Sequence, residues 1–250
     1  MQSGWTIGLA VAAALAVPSA AGGKEPIAAA AEFDGALATV ERVLALSADR
    51  KLQSPEARTL VSGEFADIPA ETLGKIGKPD LVVAAQGGAV VRAPASADFI
   101  WDVYFYLKRS GAGWTVDAVR ALHIPQFVGQ VREELRAKPD RDAEEDAALR
   151  NLDLVFTSDA GFRVWFGAHR GDLDAMLKGD DTAAQATATR LNGTVFDSTG
   201  PYPRFIIGGI MDNSVGFLFV GDGERPPAIS PSDYIWIEPM GGGWYLYRTT

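Results

Sequence analysis

Two histidines are the side chains best suited to acid–base or metal chemistry in this sequence of 250 residues. His169 is followed three residues later by Asp172, whereas His123 follows a predicted strand without such a partner. A carboxylate that orients an imidazole can make it a general base, so His169 and Asp172 are the candidate catalytic pair. His169 also continues an apolar stripe from Trp165 and Phe166, where a histidine at the core edge needs only one hydrogen bond. Helical metal ligands usually recur four residues apart, and that spacing is missing, so we expect no metal site and no cofactor.

Other catalytic classes are excluded by residues that the sequence lacks. It contains no cysteine, which rules out disulfides, thiolate metal sites and cysteine nucleophiles. No Gly-x-Ser-x-Gly nucleophile elbow occurs. The glycine turns at 111–113 and 241–243 precede a Trp and a strand, not the helix that a phosphate loop needs. Enzymatic activity stays an open question, but this sparse set of catalytic side chains favours a non-enzymatic role.

The acidic residues are concentrated in one stretch of the chain. Seven of the 32 acids lie in Asp140–Asp159, with only two arginines among them. Acids at a helix start stabilise the helix through its positive N-terminal end, which accounts for the run without any partner. The alternative is a docking face for a protein with a basic surface, with Asp142, Glu144 and Glu145 as candidate binding residues. The net charge of −9 argues against nucleic-acid binding.

Aromatic side chains are a second candidate binding surface. Those that concentrate near two predicted hairpins are Trp101, Tyr104, Tyr106, Tyr234 and Trp236. Side chains alternate between the two faces of a strand, so each hairpin directs some of its aromatic rings to either face. We expect these rings to lie in the core, or to form an uncovered face that binds a small apolar ligand or a protein.

Two segments with matching residues predict a repeated β-hairpin. Residues 102–120 and 233–248 each contain an aromatic strand, a Gly-x-Gly turn and a second strand that opens with Trp. Aligning Trp114 with Trp244 sets an offset of 130 residues between the copies. Glycine permits the positive φ that tight hairpin turns need, so both copies are predicted hairpins.

Helices are predicted upstream of the strands in both halves. Apolar residues recur at helical spacing, and Ser54 and Ser158 are predicted N-caps. A further helix is marked by Phe127, Val131 and Leu135 and bridges the two halves.

These elements predict an α+β fold built from two related lobes. In each lobe helices are followed by a four-stranded antiparallel meander, and the helices cover one face of the sheet. The N-terminal lobe with its bridging helix is expected at residues 22–138, and the C-terminal lobe at residues 139–250.

In outline, the closing hairpins at Leu107–Val119 and Ile237–Tyr247 are similar to those of the NTF2-like and cystatin-like cone folds. In those folds helices lie in the hollow of a curved antiparallel sheet. The resemblance covers the C-terminal part of each half and implies an α+β layer. It carries over no catalytic or binding residue.

The first residues predict an export signal. Ile7–Val17 is an unbroken run of apolar and small residues, and Ser19 and Ala21 fit the small-residue positions of a cleavage site before Gly22. The run is shorter than the roughly 20 residues that span a bilayer. We therefore expect residues 1–21 to be removed, which leaves a periplasmic or secreted protein without a stable membrane span. The alternative is an uncleaved N-terminal anchor.

The sequence thus predicts an exported bacterial envelope protein of a non-enzymatic binding type. An inhibitor or immunity-like protein for a basic partner is one concrete form. The alternative is a pocket protein that binds a small apolar ligand, or acts as a hydrolase or isomerase through His169.

Overall fold

The structure, a computed structural model, describes residues 33, 35–62, 73, 75–85, 87–96, 101–111, 113–122, 124–210 and 213–250. The predicted signal at residues 1–21 and His123 lie outside the described residues. The helices formed by the described residues are α1 Ala36–Ala48, α2 Pro55–Leu60, α3 Gln126–Ala137, α4 Ala143–Val155, α5 Asp159–Met176 and α6 Asp181–Arg190. The strands are β1 Leu81–Ala85, β2 Gly88–Ala93, β3 Val103–Ser110, β4 Gly113–Ala121, β5 Val195–Asp197, β6 Arg204–Ile210, β7 Asn213–Phe219, β8 Tyr234–Gly241 and β9 Trp244–Thr249.

Both predicted serine caps are confirmed. The Ala57 amide donates to Ser54 Oγ at 3.2 Å, and Pro55 occupies the first helical position, where no amide partner is needed. The Gly161 amide donates to Ser158 Oγ at 3.3 Å. Each hydroxyl thus satisfies one of the amides that a helix start leaves without an intrahelical partner.

The α+β class is confirmed, and the strands form two antiparallel sheets. Sheet A has the order β1-β2-β3-β4, which is the predicted four-stranded meander. Both predicted hairpins are present as β3–β4 and β8–β9.

Sheet B differs from the predicted meander. It has five strands in the order β5-β6-β7-β9-β8, so β7 pairs with β9 and not with β8. Adjacent pairing follows from short turns. The connection from Val220 to Asp233 is long, which lets the β8–β9 hairpin join the sheet through its second strand.

Sheet A has apolar residues on both faces. Phe105 and Leu107 of β3 belong to one apolar cluster with Val40 of α1. Tyr104 and Tyr106, on the opposite face of the same strand, belong to a second cluster with residues of sheet B. Sheet A is therefore covered by α1 on one side and contacts sheet B on the other.

Helix α5 covers one face of sheet B. Its Trp165 ring stacks on Phe205 of β6 and on Phe217 of β7, with ring centroids 5.6 Å apart in both pairs. The predicted division at residues 22–138 and 139–250 stays a prediction, and Pro139 lies in the connection between α3 and α4. Among the described residues no helix is long and apolar enough to cross a membrane.

Candidate functional site

The candidate catalytic pair lies on the partly exposed side of α5. His169 packs on the Trp165 ring, with centroids 4.5 Å apart, and its Nδ1 lies 3.7 Å from Asp172 Oδ2. That separation is too long for a hydrogen bond. Asp172 instead accepts from Arg190 Nη2 at 2.8 Å, and this hydrogen bond is the main cause that lowers the pKa of the Asp172 carboxyl. The carboxylate that would orient His169 is therefore engaged by an arginine of α6.

Most of the acids in Asp140–Asp159 are engaged by basic side chains next to them in the fold. Arg132 and Arg136 of α3 both contact Asp153, at 2.7 and 2.6 Å. Lys138 contacts Glu145 at 2.5 Å. The helical hairpin α3–α4 thus neutralises much of the charge that stands out in the sequence.

Asp142 has a structural role at the start of α4. Its carboxylate accepts from the amides of Glu144 and Glu145, and the Glu145 side chain accepts in return from the Asp142 amide. This reciprocal arrangement is a capping box. In the described residues Glu134, Asp140 and Glu144 are exposed and have neither an ion pair nor a role in the cap, so these three carboxylates are called the free acids of the hairpin.

Three of the aromatic candidates meet where the two sheets touch. Tyr104 of β3 stacks on Trp236 of β8 with centroids 4.7 Å apart, and both side chains are fully buried. Tyr106 is also buried, and its hydroxyl donates to the Ile235 carbonyl. Tyr234 is half-buried and packs edge-on against Tyr247. The rings of Tyr104, Tyr106 and Trp236 therefore fill the contact between the sheets, whereas Tyr234 packs within sheet B.

Trp101 lies beside the same core. It is half-buried, and its ring is 6.0 Å from the Phe156 ring at the end of α4. It packs against the buried cluster that both sheets share.

A buried ionic network also joins the two sheets, and its centre is Asp159 at the first position of α5. Arg248 of β9 donates through Nε to Asp159 Oδ1 at 2.9 Å, and the Tyr104 hydroxyl donates to Oδ2 at 2.7 Å. The Asp159 amide donates to Asp102 Oδ2 at 2.6 Å. All four side chains are buried, so the network ties β3 to α5 and β9 without contact with bulk water.

Arg92 of β2 extends this network toward solvent. It makes a two-bond fork with Asp80, at 3.0 and 2.8 Å, and reaches Glu238 of β8 at 3.4 Å. Glu238 also accepts from the indole of Trp236 at 3.1 Å and from Arg163 at 2.5 Å. Every side chain named here thus has an ionic or hydrogen-bonding partner.

Burial shifts the pKa values of this network. It raises the pKa of the Asp102 carboxyl, and the negative charge of Asp159 adds to the effect. Burial also raises the pKa of the Tyr104 hydroxyl well above its ordinary value. Tyr104 therefore remains a neutral donor to Asp159 under all ordinary conditions.

The network can hold protein segments together, but its burial leaves no room for substrate. Asp102, Tyr104 and Asp159 are almost completely buried, so a substrate could reach them only if the sheets moved apart. No group of three or more His, Cys, Asp or Glu side chains within the described part of the chain is arranged to hold a metal ion.

The α3 helix supplies the other notable feature. None of its residues is buried, and it leaves Phe127 and Val131 exposed to 59% and 43%. On its opposite side, Val128 packs against the core and the Arg132 guanidinium lies 5.0 Å from the Phe156 ring. Two residues of the predicted stripe, Phe127 and Val131 at positions i and i+4, therefore face solvent.

Sequence reasoning missed the buried network and the exposure of α3. In the sequence Asp159 is one more acid of the Asp140–Asp159 run. Its burial in the structure distinguishes it from the exposed Asp140. The Phe127 and Val131 signal is present in the sequence, but the same spacing is typical of a buried stripe.

Comparisons with models of known protein families, with curated proteins and with solved structures give no significant match to this chain.

Proposed function

We propose that the protein is an exported, non-enzymatic binding protein that docks a partner with a basic surface on its α3–α4 hairpin. The observation that carries this proposal is the exposed apolar pair Phe127 and Val131 on a helix without buried residues. An inhibitor or immunity-like protein is one concrete form. Export rests on the predicted signal at residues 1–21, and the proposed location is the periplasm or the outside of the cell.

The apolar pair supplies a site for an anchoring side chain. Burying a large apolar side chain completely is worth about 1.5–3 kcal/mol, so Phe127, with 59% of its surface exposed, would gain roughly half of that on docking. Binding energy concentrates in a few central contacts surrounded by polar ones. We therefore place Phe127 and Val131 at the centre of the docking surface.

The free acids of the hairpin indicate that the partner's surface is positively charged. Glu134 lies seven residues after Phe127 and so on the same side of α3, and Asp140 and Glu144 follow at the end where α4 begins. Together with the net charge of −9, these acids attract a basic surface and repel an acidic one. Exposed charge acts mainly on the association rate, so binding is expected to weaken as salt increases.

Cross-linking in intact cells, followed by mass spectrometry, tests this proposal. The wild-type chain is compared with Phe127→Ser/Val131→Ser and with the control Val164→Ser, which removes an apolar side chain of α5 that is 77% exposed. We expect one basic protein to be captured by the wild type and the control, and lost with the double variant. Capture of the same proteins by all three chains, or of no protein, would overturn the proposal.

Three further measurements test its other parts. The purified wild-type protein should bind its partner more weakly, mainly through slower association, as NaCl is raised from 50 to about 500 mM, because salt screens exposed charge. N-terminal sequencing of the protein from fractionated cells should find Gly22 as the first residue outside the cytoplasm. His169→Ala should leave capture unchanged, and a loss of capture there would instead favour a small-ligand or catalytic site at His169.

A further inference from the structure

The second feature with functional consequences is Asp102, which joins sheet A to the start of α5. Its Oδ1 accepts from the Ala95 amide at 3.1 Å, and its Oδ2 accepts from the Asp159 amide at 2.6 Å. The carboxyl group is therefore a bridge between the segment before β3 and the first residue of α5. It is also almost completely buried.

Asp102 and Asp159 are two neighbouring buried carboxyl groups with unequal partners. Asp159 is paired with Arg248 at 2.9 Å and lies 3.9 Å from Arg92. Asp102 accepts only main-chain amides, and no basic side chain of the described residues lies within 4.0 Å of it. One of the two negative charges is thus neutralised by an arginine, and the other is not.

The charged and titratable groups that act on Asp102 are Tyr104 of β3, Asp159 of α5 and Arg248 of β9. Arg92 of β2 and Glu238 of β8 belong to the same network through Asp159. Both arginines are engaged by other carboxylates, with Asp80 and Glu238 on Arg92 and Asp159 on Arg248. Among the described residues neither arginine is free to pair with Asp102, and a proton from solvent can neutralise it instead.

We propose that Asp102 is a proton-sensitive lock between sheet A and α5, and that it holds the two together more firmly once it is protonated. The two amide hydrogen bonds favour the charged carboxylate, but burial and the neighbouring Asp159 carboxylate outweigh them. Protonation therefore weakens these two bonds and still lowers the total cost of burying Asp102. It removes the repulsion from the Asp159 carboxylate and the cost of keeping an unpaired charge away from water. The protein would therefore be held more firmly as the pH falls toward 3.8.

The sign of the pH dependence follows from the pKa of Asp102. Burial and Asp159 raise this pKa in the folded chain above the ordinary 3.8, so the folded chain binds the proton more tightly than the unfolded chain. The resulting stability is present in full below 3.8 and is lost as the pH rises through the folded value. Each pKa unit of difference between the two states changes the unfolding equilibrium constant tenfold.

Urea unfolding of the full chain from pH 8 down to pH 4, close to the ordinary pKa of 3.8, tests the lock. The wild type is compared with Asp102→Asn, which keeps the shape of the neutral carboxyl, and with the exposed control Asp140→Asn. We expect the unfolding midpoint of the wild type and of the control to rise as the pH falls, by more than in Asp102→Asn. Both histidines are present in all three chains, so their titration cancels in the comparison. Three parallel profiles would overturn the proposal.

A measurement on the wild type alone covers the case in which Asp102→Asn fails to fold. The side-chain carboxyl carbon of Asp102, followed by NMR in aspartate-labelled protein, should titrate at a higher pH than that of exposed Asp140. Titration of Asp102 together with Asp140, or below it, would overturn the proposal.

Discussion

Replacing Arg248 by methionine should lower the free energy of unfolding by about 3–5 kcal/mol, because it leaves a buried carboxylate without its cation. The Asp159 carboxylate is fully buried, and Arg248 supplies its closest cation at 2.9 Å. The Tyr104 hydroxyl still donates to Asp159 in the variant, and Arg92 remains 3.9 Å away. These two contacts place the expected loss toward the lower end of the range.

The chain offers a control with the same chemistry at the surface. Arg190 and Asp172 form an Arg–Asp contact of 2.8 Å, but their side chains are 60% and 36% exposed. Exposed ion pairs contribute about 0–1 kcal/mol, so Arg190→Met should cost less than about 1 kcal/mol. The two variants therefore remove arginines from two Arg–Asp pairs of almost equal length, one buried and one exposed.

Urea unfolding at pH 7, followed by tryptophan fluorescence and circular dichroism, measures both losses. The slope against urea should stay constant in both variants, so that the midpoint alone reports stability. The double variant Asp159→Asn/Arg248→Met should recover part of the loss, because it also removes the carboxylate that the single variant leaves without its arginine. If Arg248→Met costs no more than Arg190→Met, the argument that burial decides the strength of this pair is refuted.

Three other predictions concern single residues. Asp142→Ala removes the capping box of α4 and should cost about 1 kcal/mol in urea unfolding, and a cost near zero would contradict the cap. Gly242 has φ +62°, a left-handed conformation that costs a residue with a Cβ about 1–2 kcal/mol, so Gly242→Ala should lose that much stability and lower the melting temperature. The hydroxyl of Thr199 is the first cause that lowers the pKa of Asp197 to about 2. The ionised Asp197 carboxylate therefore stabilises the folded chain above pH 3.8, and this stabilisation is lost as the pH falls toward 2. Between these two pH values the melting temperature of the wild type should fall more steeply than that of Asp197→Asn.

Local signals made much of the fold predictable from the sequence. The serine caps at Ser54 and Ser158 depend on side chains within three residues of the amides that they accept. The two hairpins depend on glycines inside a short turn, and Gly241 and Gly243 indeed have φ of +90° and +83°. Each of these features is specified by neighbours along the chain.

Features that depend on distant residues were not predictable in this way. Asp102 and Arg248 meet Asp159 across 57 and 89 residues of sequence, and nothing in the local pattern distinguishes these side chains from surface ones. The position of β9 beside β7 likewise depends on the path of a long connection. Charge counting locates the acids of the α3–α4 hairpin, but it does not show that Lys138 and the arginines of α3 neutralise several of them.

The outer strands of the two sheets differ in how they are protected against other chains. The outer edge of β4 is covered where the Ser62 amide donates to the Val116 carbonyl at 2.7 Å, and β5 is only three residues long and ends in Asp197. In contrast, β1 consists of five uncharged residues, Leu81–Ala85, and in the described part of the chain it pairs with β2 alone. An apolar edge of this kind is a template on which a strand of another molecule can add. Self-association at high concentration is therefore expected to begin at β1, far along the sequence from the surface that carries the free acids.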